Sequence, residues 1–196
     1  RPRLRRIVGE APRIRHERDP QVLGDLGVKR ARLQSGWART EKGKGQYDWS
    51  VVDALFDAAR RMGYGYDRLL VNFLQVPNWL SSAPDSLPAS ERCYYAPKSM
   101  APWADFIRAA VRRYPDMQYV ELWNEPHLPG YSKFWNSSPR QFVELLKSGY
   151  DAAKTEKPNI TVVMVKPGEL AKTMEIGNAL EDLQKAVGGY IEAFYP

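Results

Sequence analysis

Hydrophobic and polar positions along the chain alternate between short β-rich runs and longer stretches of helical period, a pattern that predicts a parallel α/β fold. The runs "VKRARLQ" (28–34), "RLLVNFLQV" (68–76), "MQYVELWNEP" (117–126) and "NITVVMV" (159–165) read as strands two to five. A weak first strand lies near "RRIVG" (5–9), and a sixth in "GYIEAFYP" (189–196). Helical signals fall between them. "DPQVLGDLG" (19–27) has Asp19 as N-cap and Pro20 at the first helical position. "DWSVVDALFDAARRMG" (48–63) sets Val51, Val52, Leu55, Phe56, Ala59 and Met62 on one stripe and stops at Gly63. Further helices are read in "MAPWADFIRAAVRRYP" (100–115), in "RQFVELLKSGYDAAKTE" (140–156) behind a Ser138-Pro139 cap, and in "EIGNALEDLQKAV" (175–187). The Pro- and Ser-rich connection "PNWLSSAPDSLPASERCYYAPKS" (77–99) is too long for a plain link and reads as a functional loop.

Strands separated by helices imply βα units joined by right-handed crossovers. An open doubly wound sheet and a closed barrel both use them. The doubly wound fold usually announces a glycine-rich phosphate turn, and neither G-x-G-x-x-G nor G-x-x-x-x-G-K-[ST] occurs. The expected fold is therefore a (β/α)8 TIM barrel, with about six βα units in this chain. Residues 1–196 form one domain on this reading, cut short before strands seven and eight.

Composition narrows the function classes. No apolar run reaches the roughly 20 residues of a membrane-spanning helix, so no membrane span is expected. No signal peptide is read and the chain begins at Arg1, which leaves the compartment open, a secreted or periplasmic one being favoured. One cysteine, Cys93, excludes a disulfide framework, and with only His16 and His127 a histidine-rich metal centre is not expected. The net charge of +6 owes much to "RPRLRR" and "RIRHER" near the start. No aromatics interleave with those runs as a single-strand binder would want, so they read as a solvated terminus and no nucleic-acid partner is expected.

Chemistry concentrates in "YVELWNEPHLPG" (119–130), where Glu125 follows a strand and sits, in a barrel, at the C-terminal mouth. A carboxylate there, flanked by Trp123 and Asn124, suits a general acid raised by partial desolvation; the alternative is a loop glutamate after an edge strand that Pro126 ends.

The stretch "ARLQSGWARTEKGKGQYDWSVVD", followed by "WNEP" and by the β-rich "YIEAFYP", resembles clan A glycoside hydrolases and looks most like glycoside hydrolase family 39, with family 5 the nearest competitor. That family includes β-xylosidases and α-L-iduronidases. The resemblance spans roughly residues 20 to 196. It implies a retaining hydrolase acting on a polysaccharide or oligosaccharide, without metal or organic cofactor. Glu125 then matches the general acid/base, and Asn124 the residue contacting the sugar 2-hydroxyl. Arg32 sits where the clan has an arginine near the nucleophile, its alternative being a core-edge arginine. Trp37 and Trp79, past strands two and three, either stack on sugar rings or pack in the interior. His127 could contact substrate. Tyr131, Phe134 and Trp135 are either a subsite wall or the cover of the following helix.

Retaining hydrolysis needs a second carboxylate about 5 Å from the first. The clan carries it at the end of strand seven, and this sequence ends at strand six. Glu169, in a loop after Lys166-Pro167-Gly168, and Glu192, within its strand, are the acids nearest strands five and six, and neither is promoted to nucleophile. A remaining segment or a partner would complete the barrel, or the chain is a non-catalytic carbohydrate-binding or scaffold relative. The basic surplus fits an anionic glycan.

Overall fold

A computed structural model of the chain describes residues 30–126 and 134–163. Predictions for the first strand and helix, for His127 and Tyr131, and for everything from residue 164 onward, Glu169 and Glu192 included, lie outside the described residues.

The elements follow the predicted alternation. Strand β1 (Ala31–Gly36) leads into a one-turn helix α1 (Trp37–Thr40) and a small hairpin of β2 (Glu41–Gly43) and β3 (Gln46–Tyr47), which sequence periodicity does not announce. Helix α2 (Ser50–Arg61), strand β4 (Leu69–Leu74) and the short helix α3 (Ala89–Arg92) come next. Helix α4 (Ala101–Arg113), strand β5 (Tyr119–Leu122), helix α5 (Pro139–Glu156) and strand β6 (Thr161–Val163) complete the described chain. Local signals set the boundaries. At α5, Ser138 Oγ accepts from Gln141 N while Gln141 Oε1 accepts from Ser138 N, a reciprocal cap with Pro139 at the first helical position. Helix α2 ends where Gly63 turns to φ 81°, as its glycine predicted.

One detail of α2 differs from expectation. Val52, Phe56 and Ala59 are buried, at the i, i+4, i+7 spacing, but Val51 is 41% exposed. The contact face is narrower than the stripe read from sequence, because only one side of the helix meets the sheet layer.

Strands β1, β4, β5 and β6 form one four-stranded sheet in that order, every neighbouring pair parallel. The order follows the chain without reversal among the described strands. Register aligns Arg32 with Leu70, Gln34 with Asn72, and Leu70 and Asn72 in turn with Tyr119 and Glu121. Since alternate residues point to opposite faces, the sheet has two unlike sides. Leu69, Val71, Phe73, Val120 and Leu122 face the helices and are buried. There Phe73 meets Phe106 of α4 edge-on at 5.1 Å, and Trp103 Nε1 donates to Leu145 O of α5 at 2.9 Å. Trp37, Trp49, Trp103 and Phe106 form a continuous aromatic core beside them. Arg113 and Tyr114 at the end of α4 both bind Asp53 of α2, tying the two helices together.

The other side carries Arg32, Gln34, Asn72 and Glu121. Among the described residues no helix is long and apolar enough to cross a membrane.

Candidate functional site

The site grows from the ends of β4 and β5. Among the described residues three non-glycine residues take left-handed backbone, Gln75 (φ 71°), Trp123 (φ 75°) and Glu125 (φ 42°), and all three lie just past the C-terminal ends of these two strands. Such conformations cost of order 1–3 kcal/mol each and persist only where surroundings over-determine them.

At Trp123 the restraints are plain. Its N–H donates to Phe73 O at 2.8 Å, its carbonyl accepts from the buried Asn72 Nδ2, and its indole Nε1 donates to Phe134 O at 2.8 Å. Trp135 stands edge-on against the same indole at 5.2 Å. Held at every polar atom, Trp123 turns the chain out of the sheet and carries Asn124 and Glu125 to the strand ends. Gln75 is anchored comparably: its carbonyl accepts from Ala38 N at 3.0 Å, and its Nε2 donates to Tyr94 Oη at 3.0 Å.

A polar chain then runs along this edge. Arg32 Nε donates to Glu121 Oε2 at 2.5 Å, and Arg32 Nη2 donates to Asn124 Oδ1 at 2.8 Å. Asn124 Nδ2 in turn donates to Glu125 Oε2 at 3.3 Å. The structure thus brings together three residues predicted from sequence, Arg32, Asn124 and Glu125, from two strands that do not pair directly. The Glu125 side chain is exposed. One atom of the region stays unmet: the Oδ1 of Asn72, buried beside Glu121, has no hydrogen-bond partner among the described residues.

The tryptophans divide. Trp37 corrects one expectation, since it is 0% exposed, its Nε1 donates to Glu41 Oε2 at 2.5 Å and its ring packs on Trp103 at 5.0 Å. A residue so enclosed cannot stack on a ligand, and of its two sequence readings interior packing is the one found. Trp79 is 37% exposed, with Nε1 3.4 Å from Glu41 O, so the loop after β4 rests on the hairpin after β1. Trp135 is half-buried, donates to Ser138 O at 3.1 Å and meets Phe142 of α5 at 5.1 Å. It covers the first turn of α5, the second of the two roles predicted for its cluster. Phe134 packs on Tyr94 at 5.0 Å, and Asn136 N donates to Tyr94 O at 2.8 Å, tying the long Pro/Ser-rich loop to the segment after β5.

Three residues that sequence reasoning passed over shape this region: Glu121, Asn72 and Glu41. Glu41 is buried at 1% exposure, and its carboxylate accepts from Trp37 Nε1 and from Gly45 N at 2.8 Å, which closes the β2–β3 hairpin. Burial first, then the Glu41 charge and then that of Asp105, pushes the Tyr47 hydroxyl up to about 12. The signal for Glu121 was present in sequence as a carboxylate inside a strand, but its partner Arg32 lies 89 positions away. Cys93, buried in the long loop, has its thiol raised by burial, the setting of an inert cysteine. No group of three or more His, Cys, Asp or Glu fit to hold a metal ion occurs among the described residues.

With this geometry in place, solved structures of similar fold can be compared. The chain is similar to a family 39 glycoside hydrolase from the gut symbiont Bacteroides cellulosilyticus WH2, at 24% identity and a TM-score of 0.53, over 74% of this chain and 27% of that one. It is similar to a monomeric beta-xylosidase from Caulobacter crescentus CB15, at 22% identity and a TM-score of 0.56, over 73% of this chain and 31% of that one. A glucosidase from Croceicoccus marinus gives 13% identity and a TM-score of 0.50, over 75% of this chain and 32% of that one. The chain spans about a third or less of the length of these proteins, and at such identities the likeness is one of fold, that of TIM-barrel glycoside hydrolases. No curated protein matches the chain. A family model described as a domain of unknown function (DUF3846) matches residues 160–196, less than half of the chain, and within the described residues that match includes β6.

Proposed function

We propose that this chain is part of a retaining glycoside hydrolase of the family 39 type, with Glu125 as general acid/base and Asn124 as the residue that reads a hydroxyl beside the cleaved bond. The observation that supports it most is the convergence of Arg32, Asn124 and Glu125 at the C-terminal edge of a parallel sheet, linked by hydrogen bonds of 2.8 and 3.3 Å. In a (β/α)8 barrel that edge is where catalytic groups stand.

On this reading Glu125 protonates the departing oxygen while a second carboxylate, from outside the described residues, attacks the anomeric carbon. Glu125 then takes a proton from water as the covalent intermediate is hydrolysed. Neither step calls for a metal or an organic cofactor. Trp79, with its exposed ring, is the aromatic platform this reading retains. A neutral sugar suits the site better than an anionic glycan, because the positive charge of Arg32 is already met by Glu121.

The test is Glu125→Gln in the full chain, assayed on methyl and 4-nitrophenyl β-D-xylosides and β-D-glucosides. Loss of the acid should lower hydrolysis of the methyl glycosides by about 10²- to 10⁴-fold and that of the nitrophenyl glycosides far less, since nitrophenolate leaves without a proton. Equal rates for Glu125→Gln and wild type on the methyl glycosides would sink the assignment.

A second reading, a carbohydrate-binding relative without hydrolysis, draws on one observation. The DUF3846 match covers 160–196, the stretch where the barrel reading needs its fifth and sixth strands. Saturable binding of xylo-oligosaccharides by a wild type that cleaves none of these glycosides would favour it.

A further inference from the structure

The Asn124 carboxamide has a donor end and an acceptor end, and its two neighbours leave no ambiguity about which faces which. Arg32 is a donor only, so Oδ1 must face it, and Nδ2 is thereby turned to the side of Glu125, where Oε2 accepts from it. What keeps the guanidinium there is Glu121, whose Oε2 lies 2.5 Å from Arg32 Nε and which rises from β5 on the same face of the sheet as Arg32 on β1. Arg32 is a long side chain with 38% of its surface exposed, and an unpaired one would sample many rotamers. The fork geometry of guanidinium lets one cation grip Glu121 through Nε and Asn124 through Nη2 at once.

We propose that Glu121 is a positioning residue of the candidate site: through Arg32 it fixes the Asn124 amide with its N–H groups toward Glu125 and the bound ligand. One Nδ2 hydrogen is committed to Glu125 and the other is left for a ligand oxygen, so the site reads an acceptor at that point. The consequence for substrate rests on the glycosidase reading; the orientation of Asn124 does not.

Both parts are tested with ¹⁵N-labelled full-length protein, the Asn124 side-chain amide being assigned by its disappearance in Asn124→Asp. In wild type the two amide protons should be resolved and exchange slowly with water. Glu121→Gln and Arg32→Lys should each shift these resonances and speed exchange about two- to tenfold, the equivalent of one hydrogen bond, while Glu121→Asp recovers part of the protection. Gln34→Ala, on the same face, should leave them unchanged. If wild type hydrolyses methyl β-D-xyloside, Glu121→Gln should lower kcat by up to about 100-fold with little change in KM and with its melting temperature retained. Asn124 resonances in Glu121→Gln and Arg32→Lys that superimpose on wild type would overturn the proposal. A merely structural Glu121 would lower the melting temperature and leave the amide unmoved, which also overturns it. Should Glu121→Gln not fold, the contrast between Glu121→Asp and Arg32→Lys carries the test. A wild type without hydrolysis defeats the glycosidase reading alone, because the amide readout needs no turnover.

Discussion

The two faces of the sheet are made by the same strands, one residue out of step, and they obey different rules. On the helix side, Phe73, Leu122, Trp103 and Phe106 are buried and apolar, their positions set by close packing. On the other side, Arg32 bonds both Glu121 and Asn124, Asn124 reaches Glu125, and Asn72 separately holds the Trp123 carbonyl. A packed apolar face tolerates apolar exchanges that keep its volume, whereas a polar chain depends on each donor meeting its acceptor. The comparison teaches that stability and candidate chemistry are divided between the two parities of one set of strands.

The sharpest way to break that division is substitution on either side. Phe106→Ala should cost about 3–5 kcal/mol in chemical denaturation, since the ring is 0% exposed and touches Trp37, Trp49, Phe73 and Trp103. Gln34→Ala on the opposite face should stay within about 0.5 kcal/mol; similar costs for the two would mean that Gln34 is buried rather than exposed.

Gly149 of α5 gives a smaller effect of the opposite kind. A Cβ there would lie 2.7 Å from Trp103 Nε1 and 2.9 Å from Leu122 Cδ1, and the Trp103 indole is fixed by its bond to Leu145 O. Gly149→Ala should therefore destabilise by about 1–3 kcal/mol through overpacking, against the usual gain from alanine in a helix. An unchanged denaturation midpoint would show that α5 sits farther from the sheet.

The pH dependence of stability separates the regions further. Tyr47 holds its proton more tightly folded than unfolded, so folded protein keeps it between pH about 10 and about 12 where the unfolded chain loses it. Stability should fall as pH rises through that window, and Tyr47→Phe should flatten this part of the alkaline slope in urea melts. The α2–α4 clamp acts at the other end. Hydrogen bonding from Arg113, with a lesser contribution from Tyr114, holds the Asp53 carboxyl below its ordinary value despite partial desolvation. Its contribution is present above the ordinary carboxylate range and disappears as pH falls through the lowered value. The pair is half exposed, so Arg113→Lys, which loses the two-pronged contact, should cost less than about 1 kcal/mol, and only above that acidic window.

Much of this architecture is legible along the chain. The capping signals of α5, the glycine stop of α2 and the strand-to-loop passage at Trp123-Asn124-Glu125 are local, and local chemistry settles them. The Trp37 and Trp79 environments were not legible, because both follow strands in similar context and only the packing of α4 and the hairpin encloses one and leaves the other 37% exposed. Glu121 and Asn72 escaped notice for the same reason. A polar residue inside a strand means little until register shows what stands opposite.

By itself, then, the sequence determined the alternation of the main strands and helices among the described residues, the cap of α5 and the stop of α2, and the delivery of Asn124 and Glu125 to a strand terminus, since periodicity, capping and proline placement act over a few residues. Only tertiary structure decided that Arg32 meets Glu121 and Asn124 across 89 and 92 positions, and that Trp37 is sealed in the core. Parallel strands are joined through intervening helices, so their partners lie far apart in the chain, and which side chains share a face depends on a register that no local pattern encodes.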